Sequence, residues 1–159
     1  MDFPLVLAVW LHTLAFVIAW GYYGILGRMV LPALERSLDR PTQAAALAAM
    51  ERQALPLIAI SLVLFGATGA YLLVVDQHYA SLGNVFASTW TTLMLIKHVL
   101  VIGLIGLGLY VDVLIRRAGH ATSDDVRGSV LRRVGWSAEG ATGLGALIVL
   151  LTAAAQAAP

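Results

Sequence analysis

Four long apolar stretches constrain the fold of this chain more than any other feature. They run roughly over residues 3–31, 55–75, 88–115 and 134–158. At about 1.5 Å of helical rise per residue, each can cross a hydrocarbon layer roughly 30 Å thick. Backbone groups find no water inside a bilayer, so each stretch must be helical. With 60% apolar and 12% charged residues, the sequence predicts an all-α integral membrane four-helix bundle, as a single domain over residues 1–159.

The basic residues lie almost entirely on one side of these stretches. Nine of the ten fall in two connections, namely Arg28, Arg36, Arg40 and Arg52 around the first, and Arg116, Arg117, Arg127, Arg132 and Arg133 in the second. Connections on the cytoplasmic side of a membrane carry an excess of Lys and Arg. We therefore expect a multi-pass protein of the bacterial cytoplasmic (inner) membrane, with both termini and the loop 76–87 on the outer side.

Two further features concern the connections. Pro41 and Thr42 resemble a helix start, with Thr42 as the cap, so the second helix is expected to begin near Pro41 and to project from the membrane before Leu55. Asp112 and Arg116 stand four residues apart, a spacing that predicts an ion pair on one helix face.

Two histidines lie inside the apolar stretches at matching depth. His12 is eight residues after Pro4 and His98 is eight residues after Trp90, which places both rings about 12 Å from the same end of parallel helices. Imidazoles on facing helices are a common way for bundles to hold haem or metal. The chain has no cysteine, which excludes iron–sulfur and thiolate sites. We predict haem b with His12 and His98 as axial and metal ligands; the alternative is that each ring only hydrogen-bonds a neighbouring helix.

Three other residues are candidates for cofactor binding near these rings. Lys97 could pair with a haem propionate, replace His98 as a ligand, carry protons, or extend its ammonium to the membrane surface. Met94 lies one turn before His98 and is either a soft ligand for haem or copper or a packing residue. Trp20 either lines the edge of a cofactor or packs between helices.

Several short motifs resemble those of a known superfamily. His12, then Trp20–Gly21, then Arg28 is similar to the first helix of HemJ-type protoporphyrinogen oxidases, as are Met50–Arg52 at the entry to the second helix and Trp90 followed by Lys97 in the third. CopD-type copper-resistance membrane domains share this layout. The resemblance implies a four-helix membrane bundle that binds haem b, or copper in the second branch, with His12, Arg28 and Lys97 at the family's cofactor-binding positions.

This chain departs from the family pattern in the first helix, where the tryptophan after His12 comes one residue later than expected, and at two points in the third. His98 is an addition beside Lys97, and the family's Tyr-His late in the third helix is here Tyr110–Val111. Two histidine ligands leave no open position on iron, which favours electron transfer. We therefore expect a b-type cytochrome, with a HemJ-like porphyrinogen oxidase or a CopD-like copper-binding or transport protein as alternatives. The expected partners are membrane lipid, a redox subunit or a quinol, and a second copy in a homodimer, with no nucleic acid.

Overall fold

The computed structural model describes residues 2–75 and 88–157, and the regular structure in these ranges is helical throughout. The predicted loop 76–87 and the last residue of the fourth stretch lie outside the described residues. The elements in chain order are α1 (Phe3–Ile25), a π-helical turn (Leu26–Val30), α2 (Leu31–Ser37), α3 (Arg40–Val75), α4 (Thr89–Gly119) and α5 (Asp124–Ala157).

Four helical segments among the described residues are long and apolar enough to cross a membrane. They are Phe3–Ser37, which joins α1 to α2, and the whole of α3, α4 and α5. Large apolar side chains point away from the protein along these segments, for example Val74 at 85% and Ile102 at 70% exposure. The predicted all-α fold with four potential spans is confirmed, and the chain has the features of a multi-pass membrane protein.

The π-helical turn has a local cause. Pro32 has no backbone N–H, and in a regular helix its ring would collide with the carbonyl of Arg28, four residues earlier. The chain widens before the proline, so that the Leu31 N–H bonds to the carbonyl of Leu26, five residues back. The first span therefore continues through the proline to Ser37.

The helices are longer than the apolar stretches that predicted them. The prediction that the second helix begins near Pro41 is confirmed, since α3 begins at Arg40. Thr42 as its cap is wrong, because Thr42 lies inside the first turn. α5 begins at Asp124, ten residues before the predicted apolar stretch at Val134, because hydropathy marks only the part of a helix that suits lipid.

The most extensive contacts in the bundle join spans that are consecutive in the chain. α4 packs most extensively on α5, and α1 packs on α3 and, less closely, on α5. The contact between α3 and α4 is loose, and α1 stands diagonally opposite α4. Aromatic side chains of α1 still cross the bundle, since the Tyr23 hydroxyl lies against Gly108 of α4 where no β-carbon would fit.

The bundle has two distinct ends. We call the end with Arg28, Arg40, Arg116 and Arg127 the arginine end, and the end with His12, Met94, Lys97 and His98 the histidine end. The largest fully buried side chains all lie toward the arginine end, and they are Leu47, Val111, Leu114, Ile115 and Val134. Arg40 extends this packing, because its guanidinium covers Gly128 and donates to the carbonyl of Asp124 at 2.8 Å.

Candidate functional site

His12 lies against α3, the second of the four potential spans. Its Nδ1 is 3.1 Å from the carbonyl oxygen of Phe65 and 3.1 Å from the hydroxyl of Thr68. Its ring stacks on the Phe65 ring with centroids 4.1 Å apart. Gly69 makes this approach possible, since a β-carbon there would lie 3.1 Å from the His12 Cε1 atom. The ring is therefore fixed in position and orientation by one turn of α3.

The hydrogen-bond partners define the tautomer of His12. A carbonyl oxygen only accepts, so the bond to Phe65 requires a proton on Nδ1. The Thr68 hydroxyl donates its own proton to the carbonyl of Leu64 at 2.6 Å, so it also accepts from Nδ1. In a neutral ring the Nε2 atom then carries the free lone pair. No hydrogen bond to this Nε2 occurs among the residues that the structure describes.

His98 on α4 is held in the same way. Its Nδ1 donates to the carbonyl of Met94, one turn earlier, at 2.6 Å, which again leaves Nε2 as the atom with the lone pair. The Met94 side chain is buried. Histidines that bind metal through one ring nitrogen usually donate the other ring N–H to a carbonyl or carboxylate. Both predicted ligands thus have the protonation pattern that metal ligation through Nε2 requires.

Four of the predicted residues, His12, Met94, Lys97 and His98, lie at the histidine end. Three of them are on α4, where Lys97 directly precedes His98 and Met94 is joined to His98 by the bond just described. The Lys97 ammonium has no hydrogen-bond or ion-pair partner within residues 2–75 and 88–157. A half-buried ammonium of this kind suits an anionic group on a ligand.

Trp20 and Arg28 lie elsewhere. The Trp20 indole donates to the carbonyl of Thr142 at 3.0 Å and covers Gly145, where a β-carbon would collide with it. Trp20 is therefore a packing residue between α1 and α5. Arg28 pairs with Glu139 at 3.3 Å at the arginine end, about 24 Å along the helix from His12. The structure does not bring Arg28 to the two histidines.

A cavity of about 210 Å³ lies between α1, α3 and α4, adjacent to His12 through the Phe65 ring. Its far end carries Tyr22, Glu51 and Asp112, a group that sequence reasoning did not assemble. Glu51 is only 8% exposed, although it precedes the apolar stretch of its helix and was expected outside the membrane. It lines the same end of the cavity as Asp112, and the predicted ion pair between Asp112 and Arg116 is confirmed at 2.9 Å.

Neither a cluster of metal-binding side chains among the described residues nor a related protein gives further information on this site. In the described part of the chain, three or more His, Cys, Asp or Glu side chains nowhere gather as a metal site would require. Comparison with protein families, with characterised proteins and with solved structures found no match. The resemblance to HemJ-type and CopD-type proteins therefore stays a prediction.

Proposed function

We propose that this chain is a membrane b-type haem protein that carries electrons, with His12 and His98 as the axial ligands. The observation that supports it is the shared state of the two rings, each with Nδ1–H held by a backbone carbonyl and Nε2 free. The ligands stand on diagonally opposite helices that scarcely touch each other. The contact between Tyr23 and Gly108 is ten or more residues from either histidine along its helix, so a flat cofactor between the two rings leaves that contact in place.

The residues present fit the chemistry of haem b. Neutral imidazole Nε2 atoms are usual iron ligands, and a carbonyl on Nδ1 raises the basicity of the ring. Lys97 supplies a cation for a propionate. Phe65 and Thr68 hold the His12 ring, and the Met94 carbonyl holds the His98 ring. When bound between two histidines, haem supplies one-electron transfer at an iron without an open position.

The decisive experiment is the absorption spectrum of purified protein with matched histidine variants. We expect six-coordinate haem in the reduced-minus-oxidised spectrum, and loss of most haem in His12→Ala and in His98→Ala. His120→Ala is the control, because His120 also donates from Nδ1 to a carbonyl (Arg116, 2.7 Å) but is exposed at the arginine end. Absence of haem, or full haem in both test variants, would contradict the proposal. Full haem in His98→Ala alone would indicate that Lys97 is the second axial ligand. In that case Lys97→Met should lose haem.

A HemJ-like porphyrinogen oxidase is the second candidate, and the observation that favours it is Lys97, whose ammonium has no partner within the described residues. A free ammonium beside His12 suits a carboxylate of a porphyrinogen as well as a propionate of haem. Arg28, which the family resemblance assigns to the same role, is occupied with Glu139. Formation of fluorescent porphyrin from added protoporphyrinogen distinguishes this candidate. Copper without haem in the purified protein would instead favour the CopD-like alternative with His12, Met94 and His98.

We also propose that the arginine end faces the cytoplasm of a bacterium and that the histidine end faces outward. The chain has no cysteine, so one introduced thiol gives an unambiguous signal in intact cells. Ser37→Cys lies at the arginine end and Gln156→Cys at the histidine end, and both positions are exposed. An impermeant maleimide should label Gln156→Cys and spare Ser37→Cys. The opposite pattern would reverse the proposed orientation.

A further inference from the structure

The cavity beyond Phe65 has an apolar end and a polar end. Aromatic and aliphatic side chains form most of its wall, among them Phe16, Trp20 and Leu104. At the end nearer the arginine residues, the wall consists of Tyr22, Glu51 and Asp112. A space of this kind selects for a molecule with a compact polar group on an apolar body.

The polar end carries two carboxyl groups. The Asp112 carboxylate accepts from Arg116 through both of its oxygens, at 3.0 Å each from Nε. Glu51 lines the same end, is 8% exposed, and has no ion-pair partner among the described residues. Because Arg116 already occupies Asp112, Glu51 is the carboxyl group that is left to hydrogen-bond a ligand.

Tyr22 supplies a second and independent indication that a ligand belongs here. Its hydroxyl is fully buried and has no hydrogen-bond partner among the described residues, and the side chain lines the cavity. A buried hydroxyl without a partner is destabilising, and such groups in folded proteins usually have a reason. A ligand oxygen in the cavity would give this hydroxyl its partner.

The size of the space and its opening restrict what enters it. The volume of about 210 Å³ exceeds the ~150 Å³ that holds a benzene molecule in an apolar protein cavity, and is too small for a tetrapyrrole. Exposed residues on both sides of the loose contact between α3 and α4 also line the space, namely Leu55, Ala59, Ile105 and Leu109. The opening therefore faces the lipid.

We propose that this cavity binds the ring of a lipid-soluble quinone or hydroquinone, with a ring oxygen between the Tyr22 hydroxyl and the Glu51 carboxyl. The Tyr22 O–H donates to a quinone carbonyl, whereas a carboxyl group can donate to a carbonyl or accept from a hydroxyl. The aromatic walls suit the flat ring, and an isoprenoid tail leaves between α3 and α4. A lipid acyl chain has no oxygen for either polar group.

A second cavity gives this site a route for protons. It has a volume of about 300 Å³, and it lies on the other side of the Glu51–Asp112 pair, which lines both spaces. Arg52, Arg116 and His120 also line it. Glu51 thus stands between a ring oxygen on one side and, on the other, a space at the arginine end that three ionisable side chains border, where it can hold a proton exchanged with the ligand.

The test uses the full chain without haem in lipid nanodiscs, so it does not depend on the haem proposal. A variant that keeps Trp20 as its one tryptophan reports binding, because quinone rings quench indole fluorescence on contact. We expect saturable quenching by decylubiquinone. In the same background, Tyr22→Phe and Glu51→Leu each remove one hydrogen bond and should weaken binding about three- to tenfold.

Two alanine variants in α3 form the matched pair. Ala59→Phe fills the opening and should abolish saturable quenching, whereas Ala67→Phe lies two turns further on, is exposed and does not line the cavity. Circular dichroism verifies that both are folded. Quenching that rises without saturation, or equal affinity in the two variants, would overturn the proposal. The haem content of Ala59→Phe, measured separately, should remain that of the unaltered protein.

Discussion

The arginine end has a closely packed core, whereas the histidine end has few buried side chains and several polar groups with unused bonding capacity. Leu47, Leu114 and Val134 are fully buried at the first, where four arginines find carboxylate partners. At the second, Val63 and Val99 are exposed, and the Nε2 atoms of both histidines have no hydrogen-bond partner among the described residues. The packed core gives the arginine end its stability, and the histidine end has polar groups that can bind a ligand.

The two ends should differ most in how much stability is lost when an apolar side chain is shortened to alanine. Leu47→Ala removes a side chain with 0% exposure, so it should lower the free energy of unfolding by about 2–5 kcal/mol, including the cavity that it leaves. Val63→Ala, at 71% exposure on the same helix, should change it by less than about 0.5 kcal/mol. Denaturation in mixed micelles, followed by circular dichroism, measures both. Equal losses would show that the two halves do not differ in packing.

Gly→Ala substitution should lower the stability at a closely packed position and raise it at an open one. At Gly145 a β-carbon collides with the Trp20 indole, whereas at Gly66 nothing lies within 4 Å. Gly145→Ala should destabilise by about 1–3 kcal/mol through overpacking. Gly66→Ala should stabilise its helix by roughly 0.5–1 kcal/mol through the lower entropy of the unfolded chain. Melting temperatures of the two variants test this, and a loss in both would contradict it.

Removal of one unpaired polar group should stabilise the empty protein. Tyr22→Phe keeps the ring and deletes the buried hydroxyl that has no partner in residues 2–75 and 88–157. We expect a gain of about 1 kcal/mol without ligand, measured by the same denaturation. Tyr23→Phe is the comparison on the neighbouring residue. A clear loss of stability in Tyr22→Phe would mean that its hydroxyl already has a partner.

The smallest expected effect concerns the ion pairs. Arg28 and Glu139 are joined at 3.3 Å, with side chains 65% and 45% exposed. A double-mutant cycle with Arg28→Ala and Glu139→Ala should give a coupling of about 0.2–1 kcal/mol that declines with salt. The packing of the arginine end, and not its charges, then accounts for its stability. A coupling well above this range would show that the ion pairs contribute substantially to the stability of the arginine end.

The sequence predicted the positions of the helices better than the contacts between them. Apolar length identifies a span without knowledge of its neighbours, so all four segments were found, and the spacing of Asp112 and Arg116 was sufficient for their ion pair. The predicted depth match of His12 and His98 could not reveal that Phe65 and Thr68 bind the first ring, because periodicity does not specify which helix a face meets. Glu51 was missed for the same reason, since its burial depends on α1 and α4.

The widened turn at Leu26–Val30 has a consequence for how the first span can change. The π-helical turn contains one residue more than an α-helical turn of nearly the same rise. A residue after the turn therefore points about 100° away from the direction that a continuous α-helix would give it. The roughly 3.6-residue periodicity of the side chains is therefore not continuous over the span Phe3–Ser37. A one-residue insertion or deletion, which elsewhere in the bundle would rotate a whole helix face into the lipid, could be absorbed at this turn.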